Sequence, residues 1–178
     1  MVERGFSPVP GGVRLELDEA ERSVLADLLR QMSALLGPIV ESEDALSAAL
    51  DFSRPEPRPE DPALLRLFPD AYRDDPDESD EFRRYTQESV RQRKVANVAL
   101  ALGGLTDDVA DLPEQSAAAW LGALNDLRLT LGTRLEVTQE DSGRWDSRDP
   151  ADSRDIGLGL YDWLTWLQSS LIESLSAC

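Results

Sequence analysis

Apolar residues recur every three to four positions through several long segments of this chain, and this spacing places them on one side of an α-helix. In the first such segment the apolar stripe covers about 140° of the helix circumference. It consists of Val24, Leu25, Leu28, Leu29, Met32, Leu35 and Leu36. The repeated pattern predicts a mainly α fold, a single-domain helical bundle of about five to six helices over residues 1–178.

Capping and breaking residues set the limits of these helices. Asp18 and Glu21 have the spacing of a capping box, and Gly37-Pro38 ends the helix that follows. Similar signals predict a weaker helix at Glu43–Leu50, a short helix after Asp61-Pro62, a long helix reaching about Leu102, one after Pro113, and a last one from about Ser153 to the C-terminus. Alternate prolines predict an extended connector at about residues 53–60.

The N-terminal residues have the pattern of a short β-hairpin at 6–17. Val13, Leu15 and Leu17 alternate with charged residues, which is the period of a strand buried on one face. A turn at Pro10-Gly11-Gly12 separates this strand from Phe6–Val9. Since two strands alone are marginally stable, we expect the hairpin to pack against helices.

The composition excludes several classes of function. The chain has no histidine, one cysteine (Cys178), and 35 acidic against 18 basic residues, a net charge of -17. The usual proton shuttle and soft metal ligands are therefore nearly absent, and we expect no enzyme activity, no cofactor and no metal. An acidic surface is repelled by polyanions, so we expect no direct nucleic-acid binding and no membrane binding.

The sequence shows no signal for membrane insertion or secretion. No apolar run reaches the length of about 18 residues that a membrane span requires, and the N-terminal residues lack a basic and apolar leader. A single cysteine agrees with a reducing compartment. We therefore expect a cytoplasmic protein.

Two dense charge clusters lie next to each other. Six carboxylates fall within residues 74–81 without the glycine of an EF-hand loop, so this run is interpreted as the cap of the long helix. The basic stretch that follows could bind phosphate or an acidic partner, or neutralise the chain's own acids, which we favour. It contains Arg83, Arg84, Arg91, Arg93 and Lys94.

Three further side chains are candidate contacts. Arg128 lies about 20° from Ala117 on the apolar stripe of its helix, so a buried charge there needs a partner. We expect that partner to be Asp80 or Glu81, with recognition of an anionic ligand by Arg128 and Arg134 as the alternative. Trp166 lies outside the stripe of the last helix, which indicates either central burial or a second partner, including a homodimer through this helix.

Two stretches of the chain, residues 61–86 and 120–135, resemble the actinobacterial family catalogued as domain of unknown function 2017. The first reads DPALLRLFPDAYRDD and then EFRRYT, and the second reads WLGALNDLRLTLGTRL. The resemblance implies a cytoplasmic, mostly helical protein, often encoded beside a Clp protease adaptor and cysteine-biosynthesis genes. Some members are described as oxidative-stress transcription regulators with a CxxxC thiol switch. This chain departs from that switch because Cys178 is its only cysteine.

Two functions remain open at this point. The first is a non-enzymatic regulator that binds another protein, such as a sigma factor or RNA polymerase, in transcription or stress regulation. The alternative is an accessory protein that binds a small anion and is linked to sulfur and cysteine metabolism or to Clp proteolysis. A cleft with converging Arg128 and Arg134 would favour the ligand, and an apolar patch around Trp166 would favour the partner.

Overall fold

The computed structural model describes residues 4–37, 58–72, 74–141, 149 and 151–177. The predicted helix Glu43–Leu50, most of the predicted connector and Cys178 lie outside these ranges. Within them the chain forms five α-helices and one three-stranded antiparallel sheet, which confirms the predicted mainly α fold.

The sheet begins with the predicted hairpin. Strand β1 (Gly5–Val9) pairs with β2 (Gly12–Glu16), and Gly11 takes a φ of 83° in the turn, where glycine avoids the strain of a side chain. A third strand, β3 (Val109–Pro113), pairs with the other side of β2 and was not predicted. Its inward-facing residues are Ala110 and Leu112, an alternation too short to predict a strand next to Pro113, and pairing with β2 determines its conformation.

The helices follow the predicted limits closely. They are α1 (Glu19–Leu36), α2 (Pro62–Leu67), α3 (Pro76–Gly103), α4 (Glu114–Arg134) and α5 (Ser153–Ser176). Asp18 accepts a hydrogen bond of 2.9 Å from the Glu21 backbone N–H, and the Glu21 side chain accepts from the Asp18 N–H, which completes the predicted capping box. Asp75 Oδ1 accepts a hydrogen bond of 3.0 Å from the Glu78 backbone N–H, so a residue of the acidic run caps α3.

Helix α4 lies at the centre of the structure, where it packs against α2, α3 and α5 and contacts the sheet. Its Trp120 is fully buried and meets the Phe6 ring edge-on, with ring centroids 5.7 Å apart. This packing joins the N-terminal strands to the helices, as expected for a hairpin too small to be stable alone. It also places the C-terminal half of α4 between α2 and α5.

Helix α5 is buried on two sides and exposed on the rest. Its Leu164, Leu167 and Leu171 are fully buried, and the Ser170 hydroxyl accepts a hydrogen bond of 3.2 Å from the Phe6 N–H, which covers the edge of β1. Ile156 has the helical spacing of Leu160, Leu164 and Leu167, which predicts a place in the same core stripe, but it is 57% exposed, so that prediction is wrong. Leu158, on the side of α5 opposite Leu167, is buried.

A close contact joins the start of α5 to the end of α4. Gly157 packs against Leu135 at the end of α4: a Cβ at position 157 would lie 2.8 Å from Leu135 Cδ2. This contact brings the start of α5 against the end of α4, next to the buried Leu158. None of the described helices is long and apolar enough to cross a membrane.

Candidate functional site

Three of the five predicted basic contacts on α3 are paired inside the protein. Arg83 is 6% exposed, pairs with the Asp70 carboxylate, and donates to Gln87 Oε1 at 2.9 Å. The other two pairs are Arg91 with Glu88 on the same helix, where Glu88 is 42% exposed, and Lys94 with Asp126. These cations neutralise the chain's own acids, as favoured from the sequence.

The remaining predicted cations are exposed but do not form one patch. Arg84 and Arg93 lie nine residues apart on α3, which places them about 180° apart around the helix. Arg134 is exposed in the last turn of α4. None of these three forms an ion pair with another described residue. A dense basic run in the sequence therefore does not become a basic surface in the fold.

The Lys94–Asp126 pair links α3 to α4 in the interior. Lys94 Nζ lies 2.7 Å from Asp126 Oδ1, and the two side chains are 15% and 4% exposed. Burial raises the pKa of the Asp126 carboxyl above its ordinary value, although the hydrogen bond and charge of Lys94 act in the opposite direction. The pair fixes the packing of the two helices and is closed to a ligand.

Arg128 does not contact the predicted carboxylates. The expected pairing with Asp80 or Glu81 is wrong, since the guanidinium turns towards α5 rather than α3. Its Nε donates to Thr165 Oγ1 at 2.9 Å, its Nη1 donates to Gln168 Oε1, and its Nη2 lies 3.5 Å from the Tyr161 hydroxyl. A half-buried guanidinium does not require a charged partner, because neutral acceptors can also satisfy its N–H groups.

Arg128 lines a polar cleft of about 390 Å³ between α2, α4 and α5. Arg66 of α2 is the second cation of this cleft, and Arg134 does not line it. The expected convergence of Arg128 with Arg134 is therefore wrong, whereas a cleft of the expected size with two arginines is present. Glu136 is its one acidic lining residue among those described.

A smaller cleft of about 110 Å³ lies between α2 and α3. Phe68, Pro69 and Phe82 form apolar walls, and Arg83 is its cation. Because Asp70 already neutralises Arg83, this cleft offers little attraction to an anion. The two clefts therefore differ in charge as well as in size.

Trp166 is half-exposed where α5 crosses β1. Its ring lies against Gly5, where an added Cβ would come within 2.7 Å of Trp166 Cη2. Gly5 also has a φ of 90°, a conformation that a residue with a side chain rarely adopts. The indole is thus 44% exposed but is held against the sheet edge.

An ion pair anchors the start of α5. Arg154 donates to both carboxylate oxygens of Asp141 at 3.1 Å, and the Thr138 backbone N–H and hydroxyl donate to the same group. These hydrogen bonds, chiefly that of Arg154, lower the pKa of Asp141 well below its ordinary range. The contact fixes the 3-10 turn Gln139–Asp141 against α5.

Sequence reasoning missed Arg66, Glu136 and the three α5 side chains that hold Arg128. Arg66 did not stand out because a basic residue in the last turn of a helix interacts favourably with the helix dipole, which is sufficient reason for its presence there. The α5 acceptors Tyr161, Thr165 and Gln168 do share one helix face, which was an available signal. Among the described residues, no cluster of histidine, cysteine and acidic side chains could hold a metal ion.

Comparison with known proteins identifies relatives of this chain. The putative oxidative stress regulator AosR of Mycobacterium leprae is 35% identical over 135 residues, which cover 67% of this chain and 61% of that protein. The oxidative stress regulator AosR of Mycobacterium tuberculosis is 35% identical over 130 residues, which cover 65% of this chain and 58% of that protein. The chain thus matches about three-fifths of the length of these relatives.

No solved structure matches the chain. The family model described as domain of unknown function (DUF2017) matches residues 3–175, nearly the whole sequence. That range includes both stretches on which the resemblance was first based. The chain belongs to the DUF2017 family.

Proposed function

We propose that this chain is a non-enzymatic regulatory protein that acts in a stress response by binding another protein. The names of its relatives support a regulatory role, since they are oxidative stress regulators. The proposed partner belongs to the transcription machinery, a sigma factor or RNA polymerase, and the proposed location is the cytoplasm. The net charge of -17 supports contact with a protein rather than with nucleic acid or an anionic membrane.

The observation that carries this proposal is the position of Trp166. Tryptophan is strongly enriched among the residues that dominate binding energy at protein interfaces. Gly5 and the edge of β1 hold this indole in place, so the indole loses little conformational entropy when a partner covers it. An ordered, half-exposed indole is therefore a suitable anchor for an interface.

The surroundings of the indole indicate the chemistry of the partner. Asp162 and Glu173 lie four residues before and seven residues after Trp166, which places them close to the same face of α5. A complementary surface would present an apolar pocket for the indole with basic residues at its rim. A second copy of this acidic chain fits that description less well, because like charges would face each other.

Affinity capture from the native host, with mass spectrometry, identifies the partner, and titration with purified partner then tests the site. Trp166→Ala should weaken binding by more than about tenfold, the loss typical of an interface anchor. Ile172→Ala is the matched control, because Ile172 is 48% exposed on the same helix but lies about 120° away around its axis. We expect that variant to bind within about twofold of wild type.

Three results would refute the proposal. One is equal affinity of Trp166→Ala and wild type for every captured transcription component. Another is a stable dimer of the purified wild-type chain that dissociates on Trp166→Ala, since the indole would then serve self-association. The third is micromolar binding of duplex DNA by the isolated protein near physiological salt, where the acidic surface should prevent it.

A further inference from the structure

We infer that the cleft between α2, α4 and α5 binds a small organic anion, whose carboxylate or phosphate group is held by Arg66 and Arg128. This binding activity is separate from the protein contact proposed above and does not depend on it. The cleft volume of about 390 Å³ lies within the usual range for small-molecule sites.

The charge of Arg128 is not neutralised within the described part of the chain. Its three hydrogen bonds there go to the neutral side chains of Thr165, Gln168 and Tyr161. A guanidinium has five N–H groups, so one N–H on each terminal nitrogen is left for a ligand. Two such donors can form the paired hydrogen bonds by which arginine binds a carboxylate or phosphate.

The neighbouring groups hold this guanidinium ready for an anion. Its carbon atom lies 5.4 Å from the centroid of the Tyr161 ring, within the range of a cation–π contact. Gly132 allows the ring to lie close to α4, since an added Cβ there would be 3.0 Å from Tyr161 Cε2. Arg128 therefore has fixed contacts on one side while it lines the cleft on the other.

Arg66 adds a second cation to the same cleft. It is exposed on α2 and has no ion pair among the described residues. Eight of the thirteen described arginines pair with an acid, and Arg66 and Arg128 are two of the five that do not, so the cleft contains two cations that form no ion pair among the described residues. This local positive charge opposes the field of the acidic surface and would attract an anion.

The rest of the lining restricts the ligand further. Glu136 has a φ of 51° and brings one carboxylate to the cleft, so two arginines and one acid leave a net charge of about +1. Leu129 and Val137 add apolar wall. These features suit a small anion that carries a carbon skeleton and a hydroxyl or ammonium donor for Glu136.

Two probes distinguish the possible anionic groups. Inorganic phosphate and succinate would each be titrated into the purified full chain at constant ionic strength, with chloride as the reference, and followed by amide chemical shifts in NMR spectra. If phosphate shifts the amide signals of Leu129, Gly132 and Thr133 in a saturable way, the site binds a phosphate group. If succinate does so, the site binds a carboxylate. We expect dissociation constants of about 1 mM for such small probes.

Arginine variants complete the test. Arg66→Gln should weaken the responding probe by at least about tenfold, and Arg134→Gln should change its affinity by less than about twofold. Arg66 is exposed, so its replacement should leave the fold intact, and Arg134 is an equally exposed arginine outside the cleft. The inference is overturned if neither probe shifts these amides beyond the chloride reference at about 10 mM, or if Arg66→Gln binds as tightly as wild type.

Discussion

The buried Lys94–Asp126 pair gives the sharpest prediction about stability. In Lys94→Met the Asp126 carboxylate would remain in the interior at 4% exposure without its cation. Burial of an unpaired carboxylate is unfavourable, and Asp126 could lose its negative charge by taking up a proton. Relative to the unfolded chain, whose aspartate pKa is about 3.9, protonation costs about 1.4 kcal/mol for each pH unit above that value. Removal of the Lys94 charge should therefore lower the free energy of unfolding by at most about 4 kcal/mol at pH 7 and about 1.5 kcal/mol at pH 5.

The sign of this pH dependence follows from the pKa of Asp126. Burial already raises that pKa in the folded protein, so the folded state holds this proton more tightly than the unfolded state does. The contribution of Asp126 to the free energy of unfolding therefore falls as the pH rises from the pKa of the unfolded state to the pKa of the folded state. Removal of Lys94 raises the folded pKa further and widens the interval, so the variant should lose most stability at neutral and alkaline pH.

Urea unfolding of wild type and Lys94→Met at about pH 5 and about pH 7 measures the effect. Arg84→Met is the matched control, because this exposed arginine of the same helix is not among the groups that act on Asp126 and should change stability by less than about 0.5 kcal/mol. The double variant Lys94→Met with Asp126→Asn should have a loss that hardly varies between the two pH values, since no buried carboxylate remains to titrate. A loss in Lys94→Met that is equal at both pH values would refute the reasoning.

Two further contacts give independent predictions. Gly5→Ala should lower the free energy of unfolding by about 1–3 kcal/mol in urea, because the new Cβ meets Trp166 and the backbone conformation disfavours a side chain. Gly103→Ala is the control and should not lower it, because a Cβ at that position meets no atom within 4 Å. Equal midpoints for the two variants would contradict this. Asp141→Asn should be less stable than wild type at about pH 7, and the difference should shrink as the pH falls below about 4, because the lowered pKa stabilises the fold only while the carboxylate is ionised. A difference that persists in acid would show that the contact with Arg154 is not the cause.

Local signals were sufficient for most of the helices and for the hairpin. The capping box at Asp18 acts between residues three positions apart, and Gly37 ends α1 through its own backbone conformation, so neither depends on distant parts of the chain. The strand alternation of Val13 and Leu15 is equally local. Such patterns determine the local conformation, and tertiary packing then stabilises it.

The features that depend on distant residues had no such signal. Strand β3 forms because β2 offers it a free edge, and the start of α5, where Leu158 is buried, packs against the end of α4 where Gly157 meets Leu135. In both places the sequence alone leaves several arrangements open, and contacts between elements far apart in the chain select one of them.

The charged residues show the same division most clearly. The sequence by itself determined that the chain is acidic, that it has few groups for acid–base chemistry, and that Arg128 lies on an apolar helix face. Only the tertiary structure decided that Arg83 pairs with Asp70 and Lys94 with Asp126, while Arg128 turns to neutral acceptors beside Arg66. The physical reason is that the partner of a charge is set by the distance between folded elements, which residue spacing along one helix does not contain.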